Sequence, residues 1–199
     1  MFKDITRDDV YRIETRRLWL RWPRLSDAAA IAHYVSDNQI AKMTGRIPHP
    51  YPPADADRFI FTTRDANADG KGLGLVVTRL GAPADIIGAI GLSPTDKEGV
   101  LEFGYWIGVP HWGQGYAKEA ALAFVDAGFS LSHASAHVAT VKPENPASMR
   151  VLEHCGFVKT GESERFMPAR GKSEPVIEFA LTRDNWNATH HWSTLGTAA

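Results

Sequence analysis

Gly113-Gln114-Gly115 closes an apolar run and opens a run of small residues. Of all stretches in the chain it is the one best suited to hold a phosphate. The sequence from Gly108 to Ala120 reads G-V-P-H-W-G-Q-G-Y-A-K-E-A, after the apolar V-L-E-F-G-Y-W-I. Strand, glycine turn and helix start meet there. Such a junction turns several unpaired backbone N–H groups in one direction, and a pyrophosphate fits them. The motif G-x-x-x-x-G-K-[ST] occurs nowhere, and Lys118 stands where G-x-G-x-x-G needs its third glycine. The turn also comes late, unlike the opening of a nucleotide-binding βαβ unit. A tight turn that only packs helix on strand is the plain alternative.

Few other residues are spaced for chemistry. Cys155 is the only thiol and ends an amphipathic stretch beside Gly156-Phe157, which reads as packing. It leaves no partner for an internal disulfide and no Cys-rich zinc site. His111 adjoins the glycine turn and could assist anion binding. His133, His137 and the His190-His191 pair join no metal-ligand spacing, and H-E-x-x-H is absent, so no metal is expected.

The elements that must position these groups follow from periodicity. Leu18, Leu20 and Trp22 alternate with Trp19 and Arg21, giving a strand near Arg17–Trp22. Ser26 or Asp27 can cap a helix carrying Ala30, Ile31 and Tyr34. A short helix from about Asp37 ends by Gly45. The prolines of Ile47–Pro53 exclude regular structure. A helix over Ala54–Ala66 turns Phe59 and Ile60 inward. Strands at Leu73–Leu80, Ile86–Leu92 and Val100–Ile107 are joined by short turns and so pair antiparallel. A helix then runs from Gly113 to about Phe129, and His133–Thr140 is a strand. A helix starts at Asn145-Pro146, and strands follow at Phe157–Thr160 and Val176–Leu181. The fold class is α/β: one mixed, mostly antiparallel sheet with helices on both faces, and a parallel crossover opened by the glycine turn. One domain is expected over residues 1–186, with a flexible polar tail over 187–199.

Composition narrows the function classes. The 199 residues are 44% apolar, with a formal net charge of -1 spread along the chain. No basic stripe suggests a nucleic-acid partner. No apolar run reaches the roughly 18 residues of a membrane span. The N-terminus M-F-K-D-I-T-R-D-D-V is too polar for a signal peptide, and a cytoplasmic location is expected.

Four separated motifs resemble the GCN5-related N-acetyltransferase (GNAT) superfamily, in particular its branch that acetylates the N-termini of ribosomal proteins. They are T-R-R-L-W-L-R at Thr15–Arg21, Y-W-I-G-V-P-H-W-G-Q-G-Y-A-K-E-A at Tyr105–Ala120, E-N-P-A-S-M-R-V-L-E-H-C-G-F at Glu144–Phe157 and V-I-E-F-A-L-T-R-D-N-W at Val176–Trp186. The resemblance implies acetyl-CoA as acyl donor. Its pyrophosphate would lie on the backbone of Gly113, Gln114, Gly115, Tyr116 and Ala117. The family signature opens with Gln or Arg where this chain has Pro110, which donates from neither side chain nor backbone. The resemblance also implies that the fourth strand, Val100–Ile107, splays from the fifth, His133–Thr140. The pantetheine arm would occupy that gap, along Ile107, Gly108 and Val109.

By the same resemblance Asn145 contacts the cofactor arm and a Ser or Tyr near the thiol protonates the leaving thiolate, with Ser148 the candidate and Tyr116 or water the alternatives. The plainer roles are an N-cap for Asn145 and a first-turn residue for Ser148. Glu102 stands on the face opposite Leu101, Phe103, Tyr105 and Ile107. A carboxylate there could steer an ammonium or take its proton, or form a salt bridge to an arginine on a covering helix. Tyr116 could serve the phosphates or packing, and Tyr105 and Trp106 read as core. The acceptor rim falls to Ile47–Pro53 and to a loop over Glu164–Ser173 carrying Arg165, Arg170 and Lys172. An α-amine, with a pKa of about 7.7–8.0, keeps a neutral fraction that lysine at about 10.4 does not. The leading expectation is therefore N-acetyl transfer to a protein N-terminus by direct attack. A small-molecule amine as acceptor, or a non-catalytic acyl-CoA-binding module, are the alternatives. Monomer and homodimer are both compatible with the sequence.

Overall fold

The computed structural model describes residues 11–195. The polar N-terminal decapeptide on which the signal-peptide reading rests lies outside the described residues. In chain order the elements are β1 (Arg12–Glu14), β2 (Leu18–Arg21), α1 (Ala28–Val35), α2 (Asn38–Ala41), α3 (Ala54–Ala68), β3 (Leu73–Arg79), β4 (Ala82–Pro94) and β5 (Val100–Ile107). Then come α4 (Tyr116–Ser130), β6 (Ala136–Val141), α5 (Pro146–His154), β7 (Val158–Met167), β8 (Lys172–Thr182) and α6 (Arg183–Leu195). The strands form one sheet in the order β1-β2-β3-β4-β5-β6-β8-β7. The β5–β6 pair is parallel and the others are antiparallel.

Two apolar layers cover the sheet. On one face Leu18, Leu20, Leu75, Leu101 and Phe103 pack against Ala121, Phe124, Val125 and Phe129 of α4. These α4 residues recur at helical spacing, which is why a run rich in alanine folds as an amphipathic helix. On the other face Val76, Ile86 and Ala89 meet Ile31 and Val35 of α1 and Ile60 of α3. Among the described residues no helix is long and apolar enough to cross a membrane.

The sheet opens at one place. β5 and β6 pair only at Val100–Ala136, Leu101–His137 and Glu102–Val138. Beyond Glu102 the two strands continue without pairing to each other. This is the expected splay. It falls between β5 and β6 because the short β1 precedes the strand expected first.

Two expectations are corrected. Asp27 does not cap α1. Its carboxylate accepts two bonds from Arg21, at 2.8 and 2.9 Å, and one from the Arg24 N–H at 2.7 Å. The segment Glu164–Ser173 is not a loop, for β7 runs to Met167 and β8 starts at Lys172. β7 leaves most of its side chains exposed, so it lacks the apolar alternation that marks a half-buried strand. α6 runs from Arg183 to Leu195, across the boundary expected at residue 186.

Candidate active site

The glycine turn has the geometry of an anion cradle. Gly113 and Gly115 have φ of 73° and 79°, the left-handed region that side chains resist. A Cβ at Gly113 would meet no atom within 4 Å, so the turn is open on that side. No acceptor among the described residues takes the backbone N–H groups of Gly115 to Lys118. Those are the orphan donors of α4, at the positive end of its dipole. Pro110 lies in a 3-10 turn, Val109–His111, and its carbonyl accepts from the Gln114 side chain at 3.0 Å.

Arg17, marked in the sequence only as a strand start and part of a motif, braces this cradle. Its guanidinium donates to the Gln114 carbonyl at 3.0 Å, pairs with Glu119 at 2.6 Å and lies 4.7 Å over the Tyr116 ring. Tyr116 thus packs between Arg17 and the core, and His111 approaches its ring edge-on at 6.4 Å. The His111 ring is also bonded to the Tyr34 hydroxyl at 3.1 Å.

Alternation along β5 decides which backbone groups face the gap. Gly108 donates to the Ile87 carbonyl of β4 at 2.8 Å. Its neighbour Ile107, and Tyr105 beyond, therefore turn their polar groups toward β6. The Ile107 carbonyl accepts from the Trp112 indole at 2.6 Å. The Gly108 carbonyl accepts from the His111 N–H, and the Val109 carbonyl from the Trp112 N–H. The N–H groups of Ile107 and Val109 are the donors left for an extended arm. Gly108 serves by its size, since a Cβ there would lie 2.5 Å from the Tyr34 ring.

Across the gap, α5 begins with Asn145 as N-cap, its side-chain oxygen accepting from the Ser148 N–H at 3.1 Å. Ser148 Oγ accepts from the Tyr105 hydroxyl at 3.2 Å, linking β5 to α5 over the opening. Burial pushes the Tyr105 phenol up to about 12, so it is a donor at neutral pH. Cys155 lies behind, buried, with its thiol also raised to about 12 by burial, then by Asp126. A thiol held neutral is no acyl-accepting nucleophile, in keeping with its packing role.

Glu102 stands where β5 and β6 part. One carboxylate oxygen accepts from Arg46 at 2.9 Å and the other from Arg165 at 2.6 Å. The expected arginine partner is present twice, but it comes from the loop after α2 and from β7, not from a covering helix. Arg165 also donates to the Thr140 hydroxyl at 3.3 Å. Opposite Arg165 in the β7–β8 register is Glu174, paired with Lys142 and, at 3.2 Å, with Lys172. Arg170 is bonded to the Ala41 carbonyl, which fastens the β7–β8 hairpin onto α2. Arg46 and Thr140 carried no sequence signal, and Tyr105 read as core, because their contacts depend on strand pairing between distant segments.

Comparison with known proteins agrees with this geometry. The acetyltransferase (GNAT) domain family matches residues 17–158. An uncharacterized N-acetyltransferase p20 of Bacillus licheniformis is 31% identical over 172 residues, covering 85% of this chain and 94% of that protein. The ribosomal-protein-S5-alanine acetyltransferase of Vibrio fischeri superposes with a TM-score of 0.76 at 23% identity, over 88% of this chain and 98% of the other. The spermidine N-acetyltransferase of Vibrio cholerae, solved with CoA and spermine, gives 0.72 at 21% identity, over 87% and 99%. The same fold thus carries different acceptors in different proteins. With its splayed strands and open glycine cradle, this chain belongs to the GNAT family of acetyl-CoA-dependent N-acetyltransferases.

Proposed function

We propose that the acceptor is the α-amine of a polypeptide N-terminus, acetylated by direct attack on the thioester. The observation that carries this reading is the charge arrangement where β5 and β6 part. Glu102 and Glu174 are each held by two cations, Arg46 with Arg165 and Lys142 with Lys172. A polyamine brings several ammonium groups and would have to displace these partners. A peptide brings one amine and a row of carbonyl acceptors, which suit guanidinium donors. Likeness in fold to the ribosomal-protein alanine acetyltransferase is compatible with the same acceptor class.

The residues divide the work as follows. Backbone N–H groups from Gly113 to Ala117 hold the pyrophosphate, and those of Ile107 and Val109 the pantetheine arm. The Asn145 side-chain amide, whose oxygen is engaged as N-cap, keeps its two N–H donors for the same arm. Glu102 lowers the local positive potential of its two arginines so that an amine can approach. As the C–S bond breaks, Ser148 gives its hydroxyl proton to sulfur and regains one from the acylated nitrogen. A positioned acid contributes about 10²–10⁴ in rate.

A screen of acetyl-CoA against alanine- and serine-headed peptides, lysine side chains and polyamines tests the reading. Free thiol and product mass are the readouts. Acetylated peptide α-amines are expected. Turnover on polyamines alone would overturn the acceptor assignment.

A further inference from the structure

We infer that Tyr105 is a positioning residue that aims the Ser148 hydroxyl at the leaving sulfur. The inference rests on the reading of Ser148 as the acid. A serine hydroxyl has one proton to give and two lone pairs, and free rotation would scatter that proton. Here one contact holds the backbone of Ser148 and another holds its oxygen. The Ser148 N–H is fixed on the Asn145 side-chain oxygen at 3.1 Å, which sets the backbone. The Tyr105 hydroxyl donates to Oγ at 3.2 Å, which occupies one lone pair. No acceptor among the described residues takes the proton of Ser148 itself. That proton is left to point away from Tyr105.

The ring of Tyr105 is held in turn by Phe103, with centroids 5.9 Å apart, and packs on the core beneath α4 and α5. The contact starts on β5, one edge of the splay, and ends on α5, the helix that follows β6. It is also directional. In this bond Tyr105 is the donor and Ser148 Oγ the acceptor, and burial keeps the phenol protonated at neutral pH. In the transfer, nitrogen bonds to the acyl carbon and the C–S bond breaks. The Ser148 proton passes to sulfur, and the proton shed by nitrogen returns to Ser148. Tyr105 keeps its own proton throughout, and its bond to Oγ strengthens while that oxygen is electron-rich.

A double-mutant cycle of Tyr105→Phe and Ser148→Ala tests this, with kcat, acetyl-CoA affinity by calorimetry and Tm as readouts. Tyr105→Phe is expected to lower kcat about ten- to hundredfold, the range of a hydrogen bond to a charged group, with acetyl-CoA affinity unchanged. The double variant should be no slower than Ser148→Ala, because Tyr105 acts only through Ser148. Losses that multiply would overturn the proposal and make Tyr105 a packing residue. Wild-type kcat in Tyr105→Phe beside a slow Ser148→Ala would overturn it while sparing the acid. Wild-type kcat in Ser148→Ala would overturn both. Should the Phe variant fold poorly, 3-fluorotyrosine at 105, a stronger donor, is expected to keep or raise kcat, and a fall would count against the proposal.

Discussion

Arg17 and Glu119 clasp each other across 102 residues of sequence, with Nε 2.6 Å from one carboxylate oxygen and the Arg17 N–H 2.8 Å from the other. The Thr15 hydroxyl adds a third bond at 2.7 Å. The start of β2 is thereby tied to the first turn of α4. Glu119 also stands near the positive end of the α4 dipole, where a carboxylate is favoured. The same guanidinium reaches the Gln114 carbonyl, so the clasp holds the phosphate turn in shape.

Replacing Glu119 by Gln should loosen that clasp. Burial opposes ionisation of Glu119, but bonds from Thr15 and Arg17 and the Arg17 charge outweigh it and hold the carboxyl below its usual range. A depressed carboxyl stabilises the fold above its unfolded value of 4.5, and the effect is lost as pH falls through the folded value. Glu119→Gln should therefore cost about 1–3 kcal/mol at pH 7. The difference should shrink as pH falls below 4.5. Denaturant melts at pH 7 and pH 4 check it, and an equal difference at both would refute the charge argument.

Gly113→Glu should remove acetyl-CoA binding and leave the fold largely intact. Nothing lies within 4 Å of a Cβ there, so a side chain meets no neighbour and, in the proposed binding mode, stands beside the pyrophosphate. The carboxylate would repel the pyrophosphate, and an affinity loss of at least about tenfold, roughly 1.4 kcal/mol, is expected. Gly113→Ala separates strain at positive φ from charge and should lose less. Calorimetry on folded protein decides, and unchanged affinity in the Glu variant would detach this turn from the cofactor.

Most of the fold was legible because its signals are local. Val100–Ile107 announced itself by alternation, and α5 by Asn145-Pro146 at its start and Gly156 at its end. The glycine turn was legible because φ of 73° and 79° selects glycine. The misses share a cause. β7 leaves side chains of both faces exposed and hence has no apolar period. Asp27 looks like a cap but answers Arg21, a partner on another element. Tyr105 looked like core because nothing in its neighbourhood along the chain indicates that Ser148 will stand across the gap. The two arginines on Glu102 arrive from positions 46 and 165, which only pairing and the hairpin contact bring together.

His137 should make the protein acid-sensitive. It is 0% exposed, stacked on Phe129 at 3.8 Å, and neither ring nitrogen has a partner among the described residues. Burial, with Arg183 adding to it, lowers its pKa to about 3. Between that value and about 6.5 the unfolded chain binds a proton that the folded chain refuses. Stability falls as pH drops through this window, by up to about 1.4 kcal/mol per unit. His137→Leu removes the titration and two unsatisfied polar atoms, so its Tm should vary less between pH 7.5 and pH 5 than that of the parent. Parallel Tm curves for the two proteins would locate the acid sensitivity elsewhere.

Glu102→Gln should impair acetylation most where the acceptor is an ammonium. The carboxylate offsets one of the two guanidiniums it holds, and its removal raises the local charge by one unit. At an effective dielectric near 20 and a separation of several ångströms, that repulsion is worth about tenfold in kcat/KM. A neutral amine would not feel it, so the loss should diminish as pH rises past the acceptor's pKa, about 8 for a peptide. The Arg46 and Arg165 side chains are 70% and 41% exposed, and such pairs contribute about 0–1 kcal/mol to stability. Tm should therefore change little. Arg165→Met makes the opposite change in charge and should lower KM for a cationic acceptor. The comparison is one alanine-headed peptide assayed from pH 6 to 9 with both variants. A loss in Glu102→Gln that is flat with pH and matched by lost stability would mean that the carboxylate only fastens Arg46 and Arg165 to the sheet, and that the acceptor's amine is received elsewhere.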